Sequence, residues 1–163
     1  MPDIEITIPT VLTSDSEEDT LLIGTRVGQR LQRGDIVALF GDLGSGKTRF
    51  VQGICNGLAV DEPVVSPTFT IVNQYSGRNG DHRNLTIHHI DCYRLKTTDD
   101  VVDIGVDEIV SSDDISLIEW PQLVLPLIRG FYWKITIDPG DLENQRIIKI
   151  EQKAAGEHDG PRY

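Results

Sequence analysis

The stretch "LFGDLGSGKTRF", residues 39–50, decides the fold. Residues Gly41 to Thr48 satisfy G-x-x-x-x-G-K-[ST], the pattern of a phosphate-binding loop. At this composition a chance match arises in about one chain of this length in two hundred, so context has to confirm it. The context does. The apolar run "DIVALF" (35–40) reads as a buried parallel strand. After the loop, "KTRFVQGICNGL" places Phe50, Val51, Ile54, Cys55 and Leu58 on one helical stripe. Strand, glycine-rich loop and helix are the three parts this site requires.

The residue types follow from the chemistry. Gly41, Gly44 and Gly46 permit backbone angles and close approach that a Cβ would block. Successive N–H groups then surround phosphate oxygens at a helix N-terminus. Lys47 neutralises the β and γ oxygens, and the Thr48 hydroxyl is placed to ligate Mg²⁺. The bland alternative is a glycine-rich turn with a solvated lysine.

Such a loop needs an acidic group at the end of a neighbouring apolar strand. "ISLIE" (115–119) supplies Glu119. Trp120 and Pro121 follow, and the indole either covers nucleotide, meets a partner or anchors core. In "HHID", strand alternation puts His89 and Asp91 on one face and His88 on the other, which is poor for a closed zinc site. Asp91 reads as the acid that positions water near the γ-phosphate, or else as a structural partner of Arg94.

Working outward, "IEITI" (4–8) alternates as a half-buried strand. "SDSEEDTLLIGTRVGQRLQRG" carries helix signals, with Ser14 or Ser16 as N-cap, Ile23, Val27 and Leu31 on one face, and Gly34 as C-cap. "TFTIVNQY" and "LTIHHIDCYRL" are strands joined by a hairpin through "SGRNGDHRN". "TTDDVVDIGVDEIV" is an acidic helix, and "YWKITIDP" and "QRIIKIEQ" form a last strand pair. The expectation is an α/β P-loop NTPase of one domain, residues 1–152, with a mixed central sheet flanked by helices. Residues 153–163 read as a disordered tail.

The 163 residues carry a formal charge of −11, with fifteen Lys and Arg and no basic cluster along the sequence. Direct grip on nucleic acid is disfavoured by that charge. No apolar run reaches the length of a membrane span, and no signal peptide is evident. Two cysteines, Cys55 and Cys92, argue against a disulfide framework and for a reducing cytoplasm.

With the phosphate loop, "SPTFTIVNQY", "HIDCYRL" and "LIEWP" in this order, the chain resembles the TsaE (YjeE) family from about Ser16 to Ile150. These are ATPase subunits of bacterial tRNA threonylcarbamoyladenosine biosynthesis. The resemblance implies MgATP binding and slow hydrolysis in support of a threonylcarbamoyltransferase built from TsaD and TsaB type subunits. Contact with tRNA would come only through that complex. It further implies that Gly44 to Arg49 wrap the phosphates and that Thr48 and Glu119 hold Mg²⁺. Lys47 and Asp91 would be catalytic, and His89, Tyr93 and Arg94 would surround Asp91. Ser66, Thr68 and Thr70 would form a switch-like loop, and Ser16 and Arg146 would lie toward adenine. Arg49 and Cys92 depart from the commoner family residues, threonine and leucine, without removing a ligand. The alternative is a small-molecule kinase with the same loop. Against it stand about forty residues before the loop and the lack of a later arginine-rich lid.

Overall fold

The computed structural model describes residues 6–156 apart from His82. Seven strands form one mixed sheet in the order β1-β7-β6-β2-β5-β4-β3. At its centre β2 (Ile36–Phe40) lies parallel to β5 (Ile115–Glu119) on one side and to β6 (Phe131–Pro139) on the other. Strand β4 (Asn84–Asp91) continues the parallel set beyond β5. Strands β3 (Val72–Arg78), β7 (Arg146–Ala154) and β1 (Thr10–Ser14) pair antiparallel at the two edges. The central strands are apolar on both faces because both faces are covered, as a buried parallel strand requires.

One face carries α1 (Glu17–Gly28) and α2 (Lys47–Gly57), with Val27, Phe50, Ile54 and Leu58 buried against Leu39, Leu117 and Ile135. The other face carries α3 (Thr98–Ile104), α4 (Val106–Val110) and two 3₁₀ turns at Pro121–Leu123 and Leu125–Leu127. Every residue of the expected α2 stripe is fully buried. The choice of N-cap for α1 falls to Ser16, whose side chain accepts from the Asp19 amide at 3.1 Å.

Several boundaries differ from the sequence reading. Residues 1–5 of "IEITI" and its approach lie outside the described residues, while Ile6 to Pro9 are not in a strand. The edge strand starts at Thr10, just after Pro9, which has no N–H to give a ladder. Helix α1 stops at Gly28, well short of Gly34, which instead takes φ 82° in the turn before β2. Leu31 is still buried, but from the turn. Residues 68–70 form a turn rather than the start of β3, with Ile71 at φ 65° breaking the extended run. The acidic helix is two helices, divided where Gly105 takes φ 88°. Strand β7 runs through Ala154, into the segment read as tail, and residues 157–163 lie outside the described residues. Among the described residues no helix is long and apolar enough to cross a membrane.

Candidate nucleotide-binding site

The parallel strands end together. In register, Leu39 of β2 pairs with Glu119 of β5, and Glu119 pairs with Asp91 of β4. The loop 41–46 leaves β2 at this edge and enters α2, so the loop, Glu119 and Asp91 meet where ligands of open α/β sheets bind. A cleft of about 250 Å³ opens there, lined by Gly44, Lys47, Thr48, Ser66, Thr68, Asp91 and Glu119, with Leu43, Tyr93, Arg94 and Trp120 at its rim.

The loop has the shape of a phosphate cradle. Gly41, Gly44 and Gly46 take φ of 154°, 78° and 106°. A Cβ on Gly41 would lie 2.6 Å from the Ile137 carbonyl, whereas one on Gly44 would meet no atom within 4 Å, so the space before Gly44 is open. The hydroxyl of Ser45 is buried with no partner among the described residues. Lys47 Nζ donates to the carbonyls of Gly41 at 2.6 Å and Asp42 at 2.8 Å, and lies 4.3 Å from the centre of the Trp120 ring. Burial lowers the Lys47 pKa below the ordinary value, and Glu119, Asp91 and Asp42 oppose that shift.

The oxygen donors converge on one point. Thr48 Oγ1 donates to Glu119, 3.1 Å from Oε1 and 3.3 Å from Oε2. A hydroxyl and one carboxylate beside a phosphate cradle suit Mg²⁺, a hard cation that keeps waters and shares its shell with phosphate oxygens. Among the described residues no three His, Cys, Asp or Glu side chains gather as a closed metal cage. Burial also holds the Asp91 carboxyl above the usual carboxylate range, with Glu119 adding to the rise and the Tyr93 amide, His89 and Lys47 opposing it. Asp91 Oδ1 accepts from the Tyr93 amide at 2.9 Å. Arg94 does not pair with Asp91; its guanidinium lies 4.7 Å from the Phe69 ring centre. Trp120 meets Tyr93 at 5.0 Å and packs partly on the second core, so the indole is both rim and anchor.

On the far side of Gly44 a smaller recess of about 90 Å³ joins Ser16, Ser45, Gly46, Arg49 and Arg146 with Glu17, Thr20 and Asn144. Arg146 Nε donates to the Ser45 carbonyl at 3.0 Å, tying β7 to the loop. Arg49 turns to Glu17 at 2.6 Å and stays out of the larger cleft. The switch-like residues divide: Ser66 and Thr68 bond each other at 3.0 Å and line the cleft, whereas Thr70 does not line it and bonds Asn73. Sequence reasoning passed over Leu43 and Asn144, which sit in loops where no periodicity marks them. It also missed the bond from His89 Nε2 to Glu119 Oε2, 2.7 Å. Strand alternation and the β4–β5 register carried that signal.

The profile of the family described as "Threonylcarbamoyl adenosine biosynthesis protein TsaE" matches residues 14–148, which takes in every element from α1 to β6 and the start of β7. The chain belongs to the TsaE family. It is 43% identical over 111 residues to the tRNA threonylcarbamoyladenosine biosynthesis protein TsaE of Treponema pallidum (strain Nichols), covering 68% of this chain and 78% of that one. The protein of the same name from Nostoc sp. (strain PCC 7120 / SAG 25.82 / UTEX 2576) is 38% identical over 126 residues, 76% of this chain and 59% of that one. Among solved structures, Bacillus subtilis YdiB superimposes with a TM-score of 0.70 at 28% identity, over 93% of this chain and 89% of that one. The TsaE fold here is thus a P-loop NTPase fold with a mixed sheet.

Proposed function

We propose that this TsaE family chain is an ATPase that binds MgATP, hydrolyses it slowly and thereby drives a threonylcarbamoyltransferase of TsaD and TsaB type subunits in tRNA threonylcarbamoyladenosine synthesis. It works in the cytoplasm and reaches tRNA only through that complex. One observation supports this above the rest: the Lys47 amine, the Thr48 hydroxyl and the Glu119 carboxylate meet at the mouth of an open glycine cradle.

In this reading the amides of residues 44–48 hold the phosphate tail, and Lys47 exchanges its two carbonyl partners for phosphate oxygens. Thr48 and Glu119 hold Mg²⁺, which supplies charge neutralisation on the transferring phosphoryl group. Asp91, with Oδ1 engaged by the Tyr93 amide, keeps Oδ2 to orient a water and take its proton. Ser66 and Thr68 face the same space and respond to the terminal phosphate. Ser16, Arg49 and Arg146 flank the recess on the nucleoside side. The acidic net charge of −11 fits a protein that meets tRNA through others.

Calorimetry with ATP and magnesium tests the site. The unaltered chain binds, and Lys47→Ala loses at least tenfold in affinity together with turnover; normal turnover in that variant would refute the site. Phosphate release without any acceptor separates hydrolysis from the kinase reading. Pull-down with a TsaB–TsaD pair, with and without ATP, tests the partner, and no association in any nucleotide state defeats it.

A further inference from the structure

The Glu119 side chain is 4% exposed and the His89 side chain is fully buried. Such a carboxylate needs its oxygens satisfied by donors of good geometry. Among the described residues two donors reach it: the Thr48 hydroxyl, which lies nearer Oε1, and His89 Nε2, which is 2.7 Å from Oε2. A carboxylate has no proton to give, so the imidazole donates from Nε2. Its other nitrogen, Nδ1, is buried without a partner among the described residues. That nitrogen is best left as a bare acceptor, since an orphaned buried acceptor is tolerated more readily than an orphaned N–H.

The two donors do not have equal freedom. Thr48 opens α2 and lines the cleft, so its hydroxyl can turn from Glu119 toward a cation. His89 is fixed inside β4, one strand away, between Leu117 in register on β5 and Asn73 on β3. Turning of Thr48 therefore releases Oε1 and leaves Oε2 engaged.

We infer that His89 is a positioning residue for the metal site: it clamps Glu119 Oε2, so that Oε1, the oxygen nearer Thr48, is the one left for the divalent cation. The inference rests on the MgATP reading above and assigns His89 to Glu119 rather than to its strand neighbour Asp91. Donors behind a ligating group orient it, and their loss lowers metal affinity by about 10–100-fold.

The test measures affinity for a non-hydrolysable ATP analogue by calorimetry, with magnesium chloride and with EDTA, in the full chain. The readout is the gain in affinity that magnesium brings. His89→Leu is expected to lose about tenfold or more of that gain while affinity in EDTA stays within about twofold. His89→Gln, whose amide can reach Glu119, restores most of it. His89→Asn, whose amide is too short, behaves as Leu and replaces it where Leu fails to fold. A full magnesium gain in the Leu or Asn variant overturns the inference. So does a loss in Gln as large as in Asn, because the donated hydrogen bond would then not matter. A fall in EDTA with the magnesium gain intact overturns it as well, since that is a packing defect. If the unaltered chain shows no magnesium gain, the MgATP reading fails and takes the inference with it; the other three outcomes leave that reading standing.

Discussion

Glu119 occupies a position where three demands meet: it ends a central strand, accepts two hydrogen bonds and faces a lysine across the cleft. Removing it should separate these roles. In Glu119→Ala, magnesium-dependent hydrolysis should fall at least a hundredfold while nucleotide affinity in EDTA stays within about threefold; equal rates in variant and parent would end the metal assignment. Folding should suffer too. The Nε2–H of His89 loses its acceptor in a fully buried setting, which costs about 1–3 kcal/mol, readable as a lower melting temperature. The neighbour Trp120 is held at φ 54°, an uncommon conformation for a bulky residue, and this is what lays its ring beside Lys47 and Tyr93. Nothing in "LIEWP" announces that angle. The motif marked the acid and left the indole's place open, because a backbone angle is decided by the packing around it.

At the scale of elements, α1 and α2 touch through glycine. Gly24 and Gly28 on α1 face Gly53 and Gly57 on α2, each pair four residues apart and so on one helical face. A Cβ on Gly53 would lie 2.2 Å from the Leu21 carbonyl, and one on Gly28 would lie 2.2 Å from the Ile54 carbonyl. Backbone meets backbone there, and no side chain can yield. Gly53→Ala should therefore destabilise the fold by about 2 kcal/mol or more despite the better helix propensity of alanine. Gly80→Ala, where a Cβ meets nothing within 4 Å, is the control and should melt with the parent. Equal melting temperatures for the two variants would show that the helices can slide apart at no cost. This contact matters to the site because α1 is capped by Ser16 and α2 starts at the phosphate loop, so their spacing sets the width of the smaller recess. The apolar stripe of α2 was plain from its period, whereas the glycine contact was not, since a glycine in a helical pattern reads locally as a weakness or a cap. Gly34 was misassigned as the end of α1 for that reason: the helix stops at Gly28, and Gly34 serves a turn.

For the whole molecule, the order of strands explains what was legible. The parallel centre, the loop and the acids at strand ends follow from runs of apolar residues and from motifs that tie chemistry to a strand terminus, and these needed no tertiary knowledge. Groupings across the sheet did: Arg83 lies far in sequence from Arg30 and Arg33 yet lines the same polar groove with them, at the end of the sheet opposite the phosphate loop. Two of them are engaged on backbone carbonyls, Arg33 with Asn84 and Arg30 with Ile6. Burial of the two thiols is likewise a property of the whole fold. Cys55 on the buried face of α2 and Cys92 after β4 are both free, and burial pushes each thiol from an ordinary 9.0 up to about 12, with Glu62 and Asp91 adding to the respective rises. An acid whose pKa is raised by folding leaves stability intact below its unfolded value. Between about pH 9 and 12 the unfolded chain has released the proton that the folded chain still holds, so stability falls as pH rises, by about 1.4 kcal/mol per pH unit for each thiol at full slope. Urea unfolding from pH 8 to 11 should show this decline. Its slope should lessen in a Cys55→Ala, Cys92→Ala chain, whatever the loss of packing does to absolute stability. Both thiols should also resist a disulfide reagent at pH 8 until urea unfolds the chain, because the thiolate is the nucleophile and neither thiol forms it in the folded state. Rapid labelling of the native chain, or identical slopes in the two proteins, would mean that these sulfur atoms are reached by water in the folded state.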